Sequence, residues 1–363
     1  MKEIREGSAE IEVWDGVFFN PRMKGLRDLS ALFVSEASGN GRLLDCTAAT
    51  GIRGIRYAKE AGMENAVLLD MNRRAYENST INVRKNGLVL DTRNESVQRF
   101  ANTSDDSFDV IDLDPFGSPA PELYDIMKVS RNDTLLMVTA TDTAVLCGAH
   151  SSACLKIYGA KALHSVHCKE AGIRILIGYI IRTAAQFNFG CEAMLSVSDM
   201  HYMRAFVKLG AGAGAAVASV KKLGFGTYCR NCVFAQASAG NTPHLQDKCE
   251  HCGGKTEAFG PLFTGRLKSD ELLARMEKSN SEAGLAKKLS ELRSEIDALF
   301  FFNIPAVTKS MGISSVSPSA VMEKLAENGY SSSSTQFSKD SIKTEAGPAD
   351  LKRAVREARE SLR

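Results

Sequence analysis

Net charge is nearly absent from this chain. Lys and Arg number 45 and Asp and Glu 43, which leaves +2 over 363 residues. A nucleic-acid partner must therefore be met by local clusters of cations and not by overall basicity. Long apolar runs are missing too. The most apolar stretch, residues 173–185, is too short to cross a bilayer and carries Arg174 and Arg182, so a buried helix and no membrane partner are expected. No charged leader followed by an apolar stretch opens the chain, so no secretory signal is expected. The loop after residues 42–45 has no Gly-x-Gly-x-x-Gly, and no Gly-Lys-Ser/Thr follows it, which argues against a phosphate cradle. Nor is there a disulfide framework. Of nine cysteines five are scattered and four form two Cys-x-x-Cys pairs, so a reducing cytoplasm is the expected setting. No obligate protein partner is evident. At 44% apolar and 24% charged the chain has the make-up of a folded protein, with length enough for two domains.

The most informative stretch is Phe108-Asp109-Val110-Ile111-Asp112-Leu113-Asp114-Pro115-Phe116-Gly117. An apolar β-rich run stops at an acid, and Pro115 and Gly117 turn the backbone, as where a buried parallel strand ends at a ligand crevice. Asp114 supplies a carboxylate acceptor and Phe116 a flat apolar face. Together they suit a planar base with an exocyclic amine. The Pro115 carbonyl is a second candidate acceptor.

Upstream, residues 42–45 form a short strand ending in Asp45, followed by a small-residue loop with Gly51 and Gly54 that opens a helix. A second strand, residues 66–70, ends in Asp70, where an acid binds ribose hydroxyls. Ribose without pyrophosphate points to S-adenosylmethionine. Asn94, Glu95 and Ser96 stand where a third strand's end would meet the adenine. With residues 134–139 as a fifth strand, strands and helices alternate as in a doubly wound, Rossmann-like α/β sheet. The fifth strand's loop holds Cys147, His150 and Cys154, a weak metal candidate without a fourth ligand.

Residues 210–214 read as a flexible Gly/Ala joint. Cys229, Cys232, Cys249 and Cys252 follow, two pairs with sixteen residues between them, the spacing of a closed four-thiolate zinc site of zinc-ribbon type. His251 reads as a bystander. Residues 1–265 are expected to form the cofactor-binding domain, with 226–258 as the zinc element and 266–363 as a smaller C-terminal domain. Within the latter, Leu285, Leu289, Leu292, Ile296 and Leu299 make one helical stripe. Two short helices and a β ribbon carrying Lys339 and Lys343 suggest a winged-helix-like α+β module. The last helix carries Lys352, Arg353, Arg356, Arg359 and Arg363, candidates for phosphate contact.

Taken together, the chain resembles the tRNA guanine-26 N2-dimethyltransferase family over nearly its whole length. The resemblance is carried by Phe18-Phe19-Asn20-Pro21-Arg22-Met23, Thr50-Gly51-Ile52-Arg53-Gly54-Ile55-Arg56, Asp112-Leu113-Asp114-Pro115-Phe116-Gly117-Ser118-Pro119, Thr139-Ala140-Thr141-Asp142 and His201-Tyr202-Met203-Arg204 with the strand that follows. Phe337-Ser338-Lys339-Asp340-Ser341-Ile342-Lys343-Thr344 matches a further family string. The resemblance implies a methyltransferase that takes two S-adenosylmethionine molecules to make N2,N2-dimethylguanine at position 26 of tRNA. It implies cofactor contacts from Arg27, the Gly51 loop with Arg56, and Asp70, and a guanine pocket of Phe18, Asp114 and Phe116. The four-cysteine element occurs in only part of the family. Two other readings stand beside this one: an adenine N6 amino-methyltransferase, and a non-catalytic zinc-containing RNA-binding protein.

Overall fold

Strand residues point in turn to two apolar layers, with register shifts between Phe108 and Val110 and between Ala193 and Leu195, and this alternation organises the fold. The structure is a computed structural model that describes residues 2–240 and 246–361. After a hairpin of β1 (Lys2–Glu6) and β2 (Ala9–Val13) come α1 (Lys24–Ala37), β3 (Arg42–Asp45), α2 (Ile52–Ala61), β4 (Asn65–Leu69), α3 (Arg73–Lys85), β5 (Asp91–Arg93), α4 (Val97–Thr103), β6 (Phe108–Leu113), α5 (Ala120–Ile126) and β7 (Ser130–Ala140). Two short helices, α6 (Thr143–Leu146) and α7 (Ser151–Tyr158), precede the long α8 (Cys168–Ala185) and the hairpin of β8 (Phe189–Ser198) and β9 (Met203–Ala211).

The seven-stranded sheet runs β5-β4-β3-β6-β7-β9-β8. The first five of these are parallel to one another, while β9 lies antiparallel to both β7 and β8. Chain order moves outward from β3 in one direction and resumes at β6 in the other, so the switch point lies between β3 and β6. Leu43, Val110, Leu135 and Met137 face one core with Phe33, Ile55 and Tyr57 of α1 and α2. Leu44, Ile111, Leu136 and Val138 face the other with Phe100, Leu123, Ile173 and Ile177. Both faces are covered, which is why these strands read as nearly continuous apolar runs. The stretch at 173–185 lies within α8, buried as expected, and among the described residues no helix is long and apolar enough to cross a membrane.

α9 (Ala213–Val220) begins inside the Gly/Ala stretch expected to be a flexible joint: β9 runs on to Ala211, and Gly212 caps the helix with φ +126°. A three-stranded antiparallel sheet follows in the order β11-β10-β12, built of β10 (Leu223–Cys229), β11 (Ala235–Ala239) and β12 (Thr256–Phe263). Next come α10 (Asp270–Ser279) and α11 (Ala283–Ser294). The expected domain boundary at 265/266 does not coincide with a change of core. Leu272, Leu273, Met276, Leu285, Leu289 and Leu292 bury their side chains with Phe33 and Phe206 in the first core. The helical stripe also stops early, because Glu295 leaves the helix with ψ 120°, so Ile296 and Leu299 lie beyond α11.

A separate core forms only from β13 (Phe302–Asn303) onward. α12 (Ile304–Ser310), α13 (Pro318–Glu327), β14 (Ser332–Ser334), β15 (Ser341–Thr344) and α14 (Pro348–Glu360) enclose Ile304, Val321, Leu325, Ile342, Leu351 and Val355, with sheet order β13-β15-β14. Ser317 caps α13 through its Oγ, which accepts from the Ala320 N–H at 3.2 Å. Arg363 lies outside the described residues.

Lys343 does not face solvent as a phosphate contact. It is buried between the two units, with Nζ 3.0 Å from Glu295 and 3.3 Å from Glu170 of α8, and lies over the Phe337 ring. Arg174 completes the cluster, donating to Glu170 at 2.9 Å and to the Gly265 carbonyl at 2.8 Å. The Phe337–Thr344 string is thus an inter-unit clasp: Phe337 and Ile342 are buried beside Lys343. Removing one partner of a buried pair strands the other charges. Lys343→Ala is therefore expected to destabilise the fold by ~3–5 kcal/mol, while exposed Lys339→Ala leaves the melting temperature unchanged. Thermal denaturation of the two variants checks this.

Candidate active site and cysteine cluster

Parallel strands bring their carboxyl ends to one edge of the sheet, and the predicted acids gather there. Asp45 ends β3, Asp70 follows β4 and Asp114 follows β6. Asp45 is buried and accepts the Gly54 N–H at 3.1 Å. Burial, with the charge of Asp112 beside it, pushes the Asp45 carboxyl up to about 7. Gly51 takes φ +79° at the start of α2, a left-handed turn that suits glycine, and an added Cβ there would stand 3.1 Å from Ser79 Cβ. Asp70 holds the loop after β3 by accepting the Ala49 N–H at 2.9 Å, and takes the Asn72 N–H at 2.8 Å. Burial raises the Asp70 carboxyl from its ordinary range. Asn94 donates to the Asp70 and Met71 carbonyls, Ser96 caps α4, and Glu95 pairs with Arg99 at 3.2 Å. Met71 stands exposed at the same edge, an apolar group that the sequence reading passed over.

Arg27 and Arg56, expected as cofactor contacts, carry no free guanidinium edge in this arrangement. Arg27 donates to both Glu6 oxygens and to the Asn20 carbonyl. Arg56 meets Glu6 at 3.0 Å, Asp28 at 2.8 Å and Glu60 at 2.9 Å. A ligand carboxylate would have to compete with Glu6. Arg27 also lies over the Phe19 ring at 4.9 Å, so it sets the turn that bears Phe18.

Phe18 and Phe116, expected to grip the base, lie in contact beside Asp114. Phe116 is 74% exposed and Phe18 49%, and their rings meet edge to face at 4.7 Å. Asp114 stands beside them in sequence with 17% of its side chain exposed, and Pro115 is half-buried. Burial pushes the Asp114 carboxyl up, but Arg53 at 2.6 Å, helped by Arg204 and the Thr139 hydroxyl, outweighs it and holds the group below the usual carboxylate range. The loop is latched to the segment after β7. The Thr141 N–H donates to the Gly117 carbonyl at 2.8 Å, its Oγ1 accepts from the Gly117 N–H at 2.7 Å, and Ser118 bonds Tyr158, which bonds Asp142.

Sequence reasoning missed the charges underneath. Arg204 is wholly buried, donating to Asp112 at 2.8 Å and to Thr139 at 2.6 Å, and the Tyr57 hydroxyl also donates to Asp112. The signal was present: Arg204 interrupts the apolar run Met203–Ala211, and Asp112 interrupts Phe108–Leu113, and a lone charge in a buried strand needs a partner. Thr47 Oγ1 and Thr50 Oγ1, in the loop after β3, are buried without hydrogen-bond partners among the described residues. Unpartnered hydroxyls in a loop held by Asp70 fit a polar ligand such as the methionine end of S-adenosylmethionine.

The four cysteines come together as predicted. Their Sγ atoms all lie within 4.8 Å of one another, with Cys229–Cys252 at 3.5 Å and Cys232–Cys249 at 3.6 Å. Tetrahedral zinc with bonds of about 2.3 Å separates its sulfurs by about 3.8 Å, so the cluster fits a structural zinc ion. An added Cβ at Gly254 would come within 3.3 Å of two of the sulfurs. His251 packs on Phe234 outside the group. Among the described residues Cys147, His150 and Cys154 form no metal-ligating group.

A doubly wound sheet with acids at the ends of β3, β4 and β6, a glycine loop without a phosphate-cradle motif, and an acid-Pro-Phe turn are the features of an S-adenosylmethionine-dependent methyltransferase acting on a base. Comparison with known proteins narrows this. The sequence model of the family described as N2,N2-dimethylguanosine tRNA methyltransferase matches residues 2–356. A tRNA (guanine(26)-N(2))-dimethyltransferase of Methanobrevibacter smithii is 32% identical, the match covering 98% of this chain and 97% of that one. The protein of the same name from Thermococcus kodakarensis is 34% identical, covering 94% and 96%. The solved structure of Trm1 from Pyrococcus horikoshii with S-adenosyl-L-methionine superposes with a TM-score of 0.91 at 32% identity, over 98% of this chain and all of that one. The chain belongs to the N2,N2-dimethylguanosine tRNA methyltransferase family.

Protein purified without added metal is expected to carry close to one zinc ion per chain by elemental analysis, and Cys249→Ser to lose most of it. A second expectation concerns Asp45. Its raised acid stays protonated in the fold while the unfolded chain has already ionised, so its stabilising contribution is present at acid pH and is lost as pH rises through about 7. Asp45→Asn cannot ionise. Its melting temperature should therefore gain on the parent's between about pH 5 and about pH 8.

Proposed function

We propose that Asp114, Phe116, Phe18 and Pro115 form the guanine pocket of this S-adenosylmethionine-dependent tRNA guanine-N2-dimethyltransferase, and that Asp45, Gly51, Asp70, Glu95 and Ser96 line the cofactor side, with Arg27 and Arg56 behind them. The observation that carries this reading is the exposed Phe18–Phe116 pair beside a carboxylate held ionised. Bound S-adenosylmethionine supplies an electrophilic methyl whose carbon–sulfur electron pair stays on sulfur. Guanine N2 is a weak nucleophile because its lone pair is delocalised into the ring. Asp114 accepts an N–H of that amine, turns the lone pair outward and receives the proton shed as the new bond forms. The Pro115 carbonyl accepts the second N–H. Phe18 and Phe116 touch edge to face in the free protein, so the base leaves its stack and parts them or stacks on one. Zinc holds the peripheral fold and takes no part in the transfer.

The unit from Phe302 onward, with a strand–helix–helix–ribbon order that fits a winged module, grips the tRNA body. Exposed Lys339 and the cations Lys352, Arg353, Arg356 and Arg359 of α14 are its phosphate contacts. A cytoplasmic setting belongs to the same reading, supported by nine thiols of which none is in a disulfide among the described residues. Family membership sets aside the adenine N6 and non-catalytic alternatives.

Asp114→Asn removes the proton acceptor while keeping the shape. Single-turnover methylation of tRNA should fall by roughly two to four orders of magnitude, with S-adenosylmethionine affinity by calorimetry little changed. A folded variant that methylates at the parent rate would take Asp114 out of the mechanism.

A further inference from the structure

Arg53 belongs to α2, the helix opened by the cofactor loop, yet its guanidinium reaches the aspartates at the end of β6. Nη2 donates to Asp114 Oδ2 at 2.6 Å, and Nη1 stands 3.9 Å from Asp112 Oδ2, buried and without a hydrogen-bond partner among the described residues. From β9, Arg204 bonds Asp112 and the Thr139 hydroxyl, and that hydroxyl bears on Asp114. The other titratable groups facing this set are Asp45 and Cys46 at the end of β3, Tyr57 of α2 and Tyr202 before β9. With Asp45 protonated, two arginines balance two carboxylates.

We propose that Arg53 is a positioning residue for methyl transfer: it occupies one oxygen of Asp114, fixes the carboxylate plane and leaves the remaining lone pairs for the substrate amine. This rests on the guanine-pocket reading above. A side chain with a single oxygen pinned cannot swing to follow its substrate, so the amine must come to it. The requirement differs between the two transfers. Unmodified guanine has two N–H bonds, either of which can meet the acceptor. Monomethylguanine has one, and only one rotamer about the C–N bond brings it to Asp114. In each round the amine lone pair forms the new N–C bond as the methyl carbon–sulfur bond breaks with its pair left on sulfur; the N–H proton passes to Asp114 and then to water, and the spent cofactor is exchanged for a fresh S-adenosylmethionine before the next round. Arg53 therefore weighs more heavily on the second transfer than on the first.

The test compares Arg53→Lys, Arg53→Met and Asp114→Asn. It uses single-turnover rates across pH, nucleoside mass spectrometry, calorimetric S-adenosylmethionine binding and melting temperature. Arg53→Met is expected to slow transfer by ~10–100-fold near neutral pH and to move the acid limb of the rate profile upward by about one pH unit or more, since the carboxylate loses its cation. The limb should move equally in an Asp45→Asn background, which removes that titration from the window. Arg53→Lys keeps the charge but not the fork. It should hold the acid limb in place and raise the share of monomethylated product. Cofactor affinity should stay within about threefold in both variants, less than the ~0.7 kcal/mol that such a change represents. An unmoved acid limb in folded Arg53→Met overturns the proposal, as does loss of cofactor affinity in step with the rate. If Arg53→Met does not fold, Arg53→Lys decides alone: a parent-like ratio of mono- to dimethylated product overturns it. Full activity in Asp114→Asn would instead remove the pocket reading beneath it.

Discussion

Three carboxylates crowd the carboxyl edge of this sheet, and the fold depends on how their charge is balanced. Asp45, Asp112 and Asp114 lie on adjoining strands, and parallel pairing sets Asp45 directly opposite Asp112. At an effective dielectric near 20, two like charges about 4 Å apart repel by about 4 kcal/mol, a large share of a domain's net stability. Two devices relieve this. Arg53 and Arg204 bring positive charge from α2 and β9, and Asp45 takes up a proton as its acid rises to about 7. Arg204 reaches the site only because β9 runs antiparallel to β7 with Thr139 opposite Arg204. The reversed hairpin at the sheet's edge is therefore part of the electrostatics of the candidate site.

The peripheral elements are tied to this core by buried contacts, with Phe259, Leu262 and Phe263 of β12 sharing the core of α8. The Val233 carbonyl, between the two cysteine knuckles, lies 3.1 Å from the His167 imidazole ahead of α8. Phe234 stacks on Phe302 at 6.2 Å, so the cysteine cluster touches the C-terminal unit as well. Lys343 closes the other side of that junction between Glu170 and Glu295. A zinc ion at the four sulfurs would thus stiffen a bracket between the methyltransferase core and the smaller unit, a structural role.

Exposure separates the reactive surface from the framework. Phenylalanine is mostly buried in this protein, yet Phe18 and Phe116 lie open against each other. Keeping two rings in water forgoes apolar burial of about 25 cal/mol per Å². In the proposed pocket that loss is recovered when a flat base covers them. The Thr141–Gly117 pair and the Ser118–Tyr158–Asp142 chain hold Phe116 in place without burying it.

Much of this was legible from local pattern. Strands buried on both faces, acids at their ends, the glycine loop, two Cys-x-x-Cys pairs and the Asp-Pro-Phe-Gly turn are all written into neighbouring residues, and the structure gathers the acids and the turn at one edge of the sheet and the four sulfurs into one cluster. What local pattern could not reveal was partnership at long range. Lys343 reads as a phosphate contact on a polar ribbon, and only packing against Glu170, 173 residues away in sequence, makes it a clasp. Leu285 and Leu289 show an amphipathic helix but not its partner, and the partner proved to be the first core. Arg27 and Arg56 read from the sequence as donors to a ligand, and only the tertiary structure shows that both also pair with Glu6 of the opening hairpin. Periodicity and turn chemistry act over a few residues and are carried by the sequence itself. Charge pairing and face-to-face burial act through space, so only the tertiary structure decides them.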